Sequence, residues 1–251
     1  MHIPDGYLGP YTYGGLWAAI VPIWIYASGK IKETLKASQI PLLSLSAAFS
    51  FVIMMFNVPI PGGTTGHATG ATLIAILIGP WAAIIAVSIA LIIQAFMFGD
   101  GGITAVGANC FNIAFAEVLV GYGIYRIISS SKFQVPASGG SPRRQSFKFK
   151  TQDSDAGTRH SALPTRQLIG AGIGAYVGIN LAAFLTAFEL GIQTVLHVGP
   201  DGRPLYSPFP LAVTIPAIMI EHVVLFGIVE AGITIFVLIY LRKSHPDLIG
   251  R

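Results

Sequence analysis

Residues 37–99 read ASQIPLLSLSAAFSFVIMMFNVPIPGGTTGHATGATLIAILIGPWAAIIAVSIALIIQAFMFG, 63 consecutive positions without an Asp, Glu, Lys or Arg. A transmembrane helix needs only about 20 apolar residues, and no water-soluble core hides so long a charge-free run. The rest of the chain agrees. Of its 251 residues, 53% are hydrophobic and 10% charged, against about 25% charged in soluble domains. A water-soluble enzyme is excluded. The chain reads as an all-α, polytopic membrane helical bundle forming one domain over residues 1–251.

Working outward, seven apolar segments can be drawn: 13–29, 39–57, 67–79, 80–98, 107–128, 167–196 and 211–241. Gly79-Pro80 divides the third from the fourth, a helix stop followed by a helix-starting proline. Segment 67–79 is too short to cross a bilayer unaided and is expected to be tilted or partly re-entrant. Residues 129–166 are rich in Ser, Gly, Pro, Lys and Arg, lack apolar periodicity and read as a flexible linker.

Charge sets an expected orientation. With seven spans, three regions share one side: Lys30, Lys32 and Lys36; Arg126, Lys132, Arg143, Arg144, Lys148, Lys150, Arg159 and Arg166; and Arg242, Lys243 and Arg251. Only Arg203 of the 15 basic residues lies opposite. The positive-inside rule makes the basic side cytoplasmic, so the N-terminus is outside and the C-terminus inside. The net charge of +4 belongs to these loops, and no basic patch interleaved with aromatics suggests nucleic acid. The start Met-His-Ile-Pro-Asp-Gly lacks the basic n-region of a cleavable signal. The single cysteine, Cys110, excludes a disulfide framework and reads as a small apolar filler.

Four polar regions are expected to meet on the outer side: the N-terminus, residues 59–67, Gly99-Asp100-Gly101-Gly102 and the 197–210 loop. Irregular backbone at membrane depth survives only where protein or a wet cavity satisfies it. No Gly-Lys-Ser/Thr follows the glycines and no His-Glu-x-x-His occurs, so neither a nucleotide site nor a zinc protease is indicated. His160 and His245 read as solvated, and His197 as interfacial. His222, beside Glu221 in the last span, reads either as functional or as a Glu–His pair bridging helices.

His67 stands among the small residues Gly66, Ala68 and Gly70, which let another segment approach its ring. His2 places three nitrogens in sequence: the Met1 amine, its own amide and its imidazole. If the amide deprotonates, these close a five-membered and then a six-membered chelate ring around one metal. Such planar nitrogen geometry suits Ni(II) or Cu(II). A fourth nitrogen is needed, and His67 is the available candidate. The plain alternative is that Met1 and His2 form an ordinary solvated chain start.

Met1-His2-Ile3-Pro4-Asp5-Gly6-Tyr7-Leu8, Pro61-Gly62-Gly63-Thr64-Thr65-Gly66-His67-Ala68-Thr69-Gly70, Gly99-Asp100-Gly101-Gly102-Ile103-Thr104 and the Asn109–Asn112 stretch carry a resemblance. Together they resemble the nickel/cobalt substrate-binding S components of energy-coupling factor transporters, the NikM/CbiM group. The similarity spans about residues 1–128 and, weakly, the final span, and Pro4-Asp5 looks more like the nickel members. It implies a seven-helix, multi-pass protein of a prokaryotic inner membrane, with its N-terminal segment tucked into an outward-facing pocket. The implied ligands are the Met1 amine, the His2 amide and imidazole and the His67 imidazole, the set already assembled from chemistry. The cargo is Ni(II), with Co(II) as the alternative, and no organic cofactor is implied. The implied partners are a transmembrane coupling protein, two cytoplasmic ATPase subunits and a small auxiliary membrane protein, with no ATPase in this chain. Ser44-Leu45-Ser46-Ala47-Ala48 is the implied partner face, while Gly170, Gly174, Gly178 and Ala182 read as internal packing. The competing reading is a self-sufficient secondary transporter of divalent metal ions using Glu117, Glu189, Glu221 and Glu230.

A cysteine placed at Ser138 in a Cys110-free background is expected to react with a membrane-impermeant thiol reagent from the cytoplasmic side only. Labelling from outside would reverse the orientation.

Overall fold

The computed structural model describes residues 1–34, 39–60, 63–130 and 165–245. Its seven helices are α1 (Pro10–Thr34), α2 (Ile40–Met54), α3 (Ala71–Ile78), α4 (Pro80–Phe98), α5 (Val106–Ser130), α6 (Thr165–Leu196) and α7 (Leu211–Ser244). Helices α4 to α7 are each long and apolar enough to cross a membrane. Exposed Phe188, Val224, Ile228 and Phe236 along α6 and α7 suit a surface bathed in hydrocarbon.

Two departures from the sequence reading concern the third segment and the chain before it. Residues 67–70 are not helical, and Gly70, at φ +70°, delays the start of α3 to Ala71. The expected span 67–79 therefore shrinks to eight residues, a rise of about 12 Å against a hydrocarbon core of about 30 Å. Before it, where only irregular chain was expected, β1 (Val58–Ile60) pairs antiparallel with β2 (Thr64–Gly66), Pro59 opposite Thr65. The β-branched Val58, Ile60, Thr64 and Thr65, with Gly63 at φ +89° just before β2, account for the pairing. Of the linker 129–166, both ends belong to helices and residues 131–164 lie outside the described residues.

Helix α6 packs against both α5 and α7, and α4 against α1, α2 and α3. The α5–α6 seam is made of backbone. Gly170, Gly174, Gly178 and Ala182 are all buried. A Cβ on Gly174 would stand 2.4 Å from the Gly121 carbonyl oxygen, and one on Gly178 would stand 2.9 Å from that of Glu117. The stripe thus serves internal packing, as expected. In α2, Ser46 and Ala47 are buried in the bundle while Ala48 is exposed.

Three π-helical turns widen the helices near the N-terminal segment. Gln94–Phe98 leads into Asp100, Cys110–Glu117 carries Asn112, and His222–Phe226 begins at a buried histidine. Such turns shift side chains off the regular helical face and recur at functional sites.

Gly174→Leu is expected to lower stability by about 3 kcal/mol, because backbone cannot move aside for the new side chain. Gly123→Ala, whose Cβ would meet nothing within 4 Å, is expected to leave stability unchanged. Thermal unfolding in detergent reads both.

Candidate metal-binding site

The first five residues run through the end of the bundle without helical bonds of their own, and Met1, His2, Ile3 and Asp5 are each tied to a neighbouring element. The Met1 amine donates to the Thr65 carbonyl, and the Thr64 hydroxyl donates to His2 O at 2.8 Å. Asn109 brackets Ile3, its Oδ1 accepting from Ile3 N at 2.8 Å and its Nδ2 donating to Ile3 O at 3.2 Å. Gly102 N also donates to Ile3 O, at 2.8 Å. The Asp5 carboxylate accepts the backbone N–H groups of Ile103 and Thr104 at 2.9 Å each. At this crossing Gly102 is required: a Cβ there would lie 2.4 Å from Asp5 N.

A strap from the 197–207 region closes over the next residues. Ser207 N donates to Tyr7 O at 3.1 Å, and the His197 ring packs on Gly9, where a Cβ would lie 2.4 Å from Nε2. Gly9 N donates to Gln193 Oε1 at 3.0 Å. The four regions that the sequence pointed to do meet.

Met1 and His67 are wholly buried, and His2 is 3% exposed. The His2 and His67 rings lie 4.5 Å apart between centroids. Their tautomers follow from their partners. His67 Nδ1 is 3.1 Å from Ala68 O; a carbonyl only accepts, so Nδ1 carries the proton and Nε2 presents a lone pair. His2 Nδ1 donates in the same way to Asp100 Oδ1 at 2.9 Å, and Asn57 Nδ2 steadies Asp100 Oδ2 at 3.1 Å. Neither Nε2 has a hydrogen-bond partner.

Burial pushes the Met1 amine down to about 4 from 8.0, and pushes the His2 imidazole down against the opposing Asp100 hydrogen bond. The donors are therefore neutral at pH 7, the form that binds metal. Among the described residues, no three His, Cys, Asp or Glu side chains gather closely enough to hold an ion. A metal here needs main-chain nitrogen as well as imidazole.

Other sequence candidates fall into structural contacts. His222 donates from Nδ1 to Ile218 O at 2.8 Å, one turn back, instead of pairing with Glu221. Its buried Nε2 is unpartnered, and the ring lies within electrostatic reach of the Met1 amine and His67. Glu189 accepts from Asn112 Nδ2 at 2.9 Å, and Cys110 is buried. The sequence reading gave no role to Asp100, Asn109, Asn57 or Thr186. The first two lie in quoted motifs, but nothing in the sequence marked Asn57 as a partner of Asp100, or Thr186, whose hydroxyl donates to Met1 O at 3.4 Å, as a neighbour of the first residue.

The profile described as the CbiM cobalt uptake substrate-specific transmembrane region matches residues 2–248. The chain belongs to this family. It is 43% identical to the fused nickel transport protein NikMN of Rhodobacter capsulatus, over 100% of this chain and 64% of that protein, so it spans less than two thirds of the relative's length. A Methanocaldococcus jannaschii protein named for metal transport is 42% identical, over 99% of this chain and 94% of its own. A crystal structure of a truncated transition metal transporter superposes with a TM-score of 0.83 at 46% identity, covering 98% of this chain and 100% of that one. With its long apolar helices, this CbiM-family chain is a multi-pass membrane protein.

The amine lowered from 8.0 to about 4 makes docking of residues 1–5 pH-dependent. Between those values the undocked segment binds more protons than the docked one, so acid favours release. Docking is expected to be strongest above pH 8 and to weaken by up to about 1.4 kcal/mol per unit as pH falls toward 4. Hydrogen exchange at Ile3 N and Gly102 N measures it; protection independent of pH would contradict a buried amine.

Proposed function

We propose that this chain is the substrate-binding component of an energy-coupling factor importer, taking Ni(II) from outside the cell, with Co(II) as the alternative ion. The observation that carries the reading is the burial of Met1, His2 and His67 together, rings 4.5 Å apart. The metal ligands in this reading are the Met1 amine, the His2 amide and imidazole, and His67 Nε2. An all-nitrogen plane suits low-spin d⁸ Ni(II); Zn(II) prefers a tetrahedron, and Ca(II) and Mg(II) prefer oxygen. The nickel name of the R. capsulatus relative and the cobalt name of the family support this pair of ions.

The six-membered chelate uses His2 Nδ1, the atom now donating to Asp100. Binding therefore includes a half-turn of the imidazole about Cβ–Cγ. That turn brings Nε2 to the Asp100 side, where its N–H serves the same carboxylate and holds the ring as a second-shell partner.

In this reading the chain lies in the inner membrane of a prokaryote, N-terminus outside and C-terminus inside. ATP is hydrolysed elsewhere, by two ATPase subunits joined through a transmembrane coupling protein, with a small auxiliary membrane protein as a further partner. The chain itself is not an enzyme. Metal uptake by the chain alone in liposomes carrying a proton gradient would instead favour the self-sufficient secondary transporter.

A one-residue extension before Met1, or His2→Ala, is expected to abolish Ni(II) binding, and His67→Ala to weaken it severely. Amine and imidazoles are neutral at pH 7, so about one proton, that of the His2 amide, should be released per ion. Isothermal titration in buffers of different ionisation enthalpy counts it. Equal affinity in extended and native-start protein would remove the N-terminus from the site.

A further inference from the structure

His67 sits on a non-helical turn, and three helices hold that turn by the residues on either side of it. From α7, the Phe226 ring presses on Gly66, where a Cβ would lie 2.1 Å from Cε2. One turn further along α7, the buried Glu230 accepts from Thr69 N at 2.8 Å and from Gly70 N at 2.9 and 3.1 Å. From α2, Ser50 Oγ donates to Thr69 O at 2.8 Å. From α5, Glu117 lies 2.5 Å from the Thr69 hydroxyl, which also accepts from Ala71 N at 3.1 Å. The His67 ring itself has a single hydrogen bond, from Nδ1 to the neighbouring Ala68 carbonyl. Its direction is therefore set by the turn, and the turn is set chiefly by Glu230, which takes both N–H groups that precede α3.

We infer that Glu230 is a positioning residue for the metal site: it aims His67 Nε2 at the ion without touching it. The inference rests on His67 being a metal ligand. Three of the four proposed donors travel together on residues 1 and 2, so only the fourth depends on the 66–70 turn. Loss of Glu230 should leave a three-nitrogen chelate with its fourth position open to water.

The test is Ni(II) titration of the purified full chain, reading both affinity and the nickel d–d absorption band, with His67→Ala as the reference for a lost fourth nitrogen. Glu230→Ala is expected to bind 10 to 100 times more weakly, roughly the range for second-shell partners, with its band shifted to that of His67→Ala. Glu230→Asp keeps the carboxyl group but is one methylene short, and is expected to follow Glu230→Ala. Glu230→Gln keeps one oxygen for Thr69 N and Gly70 N but sets its amide N–H where Oε1 now accepts from Gly70 N at 2.9 Å, and is expected to fall between the unaltered protein and Glu230→Asp, with its band in place. If the alanine variant does not fold, the Asp and Gln variants carry the test between them. An unshifted band in Glu230→Asp, or a Gln variant as impaired as the Asp variant, would overturn the inference alone. Equal binding by His67→Ala and the unaltered protein would instead remove the ligand on which it rests.

Discussion

The arrangement depends on one requirement: a non-helical chain buried in a membrane bundle must find a partner for every N–H and C=O it brings. Residues 1–5 cannot meet it themselves. Thr65 takes the Met1 amine, Thr64 serves the His2 carbonyl, and Asn109 from α5 with Gly102 serves both main-chain groups of Ile3, while the 103–104 segment holds the Asp5 carboxylate. The hairpin and the 99–102 loop, with its positive-φ glycines, bring backbone and side-chain groups to these residues. The double bond between Asn109 and Ile3 imitates a strand pairing, which is why an asparagine on a helix can substitute for a neighbouring β-strand.

The same burial prepares the chemistry. Taking an amine and imidazoles out of water disfavours their protonated forms, so the segment arrives as a set of lone pairs. For His67 the Ala68 carbonyl takes the Nδ1 proton and leaves Nε2 bare; for His2 the Asp100 carboxylate holds Nδ1, so the proposed chelate forms only after the half-turn that hands Asp100 the Nε2 proton. A histidine whose other nitrogen is held by a carbonyl or carboxylate is the usual form of a metal ligand. In the proposed reading, an all-nitrogen site would also disfavour hard cations such as Ca(II) and Mg(II), which prefer oxygen.

The helices divide the remaining work. Small residues along α6 let α5 approach to backbone contact, and van der Waals packing of that kind holds helices together where lipid leaves no hydrophobic drive. Helix α7 does two things at once. Its outer face exposes Val224, Ile228 and Phe236, while Phe226 and Glu230, four residues apart, grip the turn that carries His67. Pro80 and Gly79 let α3 stay short, which leaves room for that turn.

Much of this was legible in the sequence. Membrane residence, seven helical segments, the weakness of segment 67–79 and the internal role of the glycine stripe follow from charge, hydropathy and spacing, because lipid permits few alternatives. The proposed ligands Met1, His2 and His67 were drawn from a local property of the chain, the nitrogen spacing of a second-position histidine, and the structure buries the three residues together. Other features rest on contacts between residues 43 to 185 apart: Asn57 on Asp100, Asn109 on Ile3, Thr186 on Met1 and Glu230 on Gly70. No local pattern encodes them. The orientation of each imidazole was likewise decided only in three dimensions, since a ring's tautomer depends on which acceptor the folded chain places beside it. The end of α3 nearest His67 belongs to the same class. Hydropathy extends that helix to residue 67, whereas the positive φ of Gly70 and the Glu230 carboxyl group, reaching over from α7 to take the Thr69 and Gly70 N–H groups beside the contacts from Ser50 and Glu117, start it at Ala71.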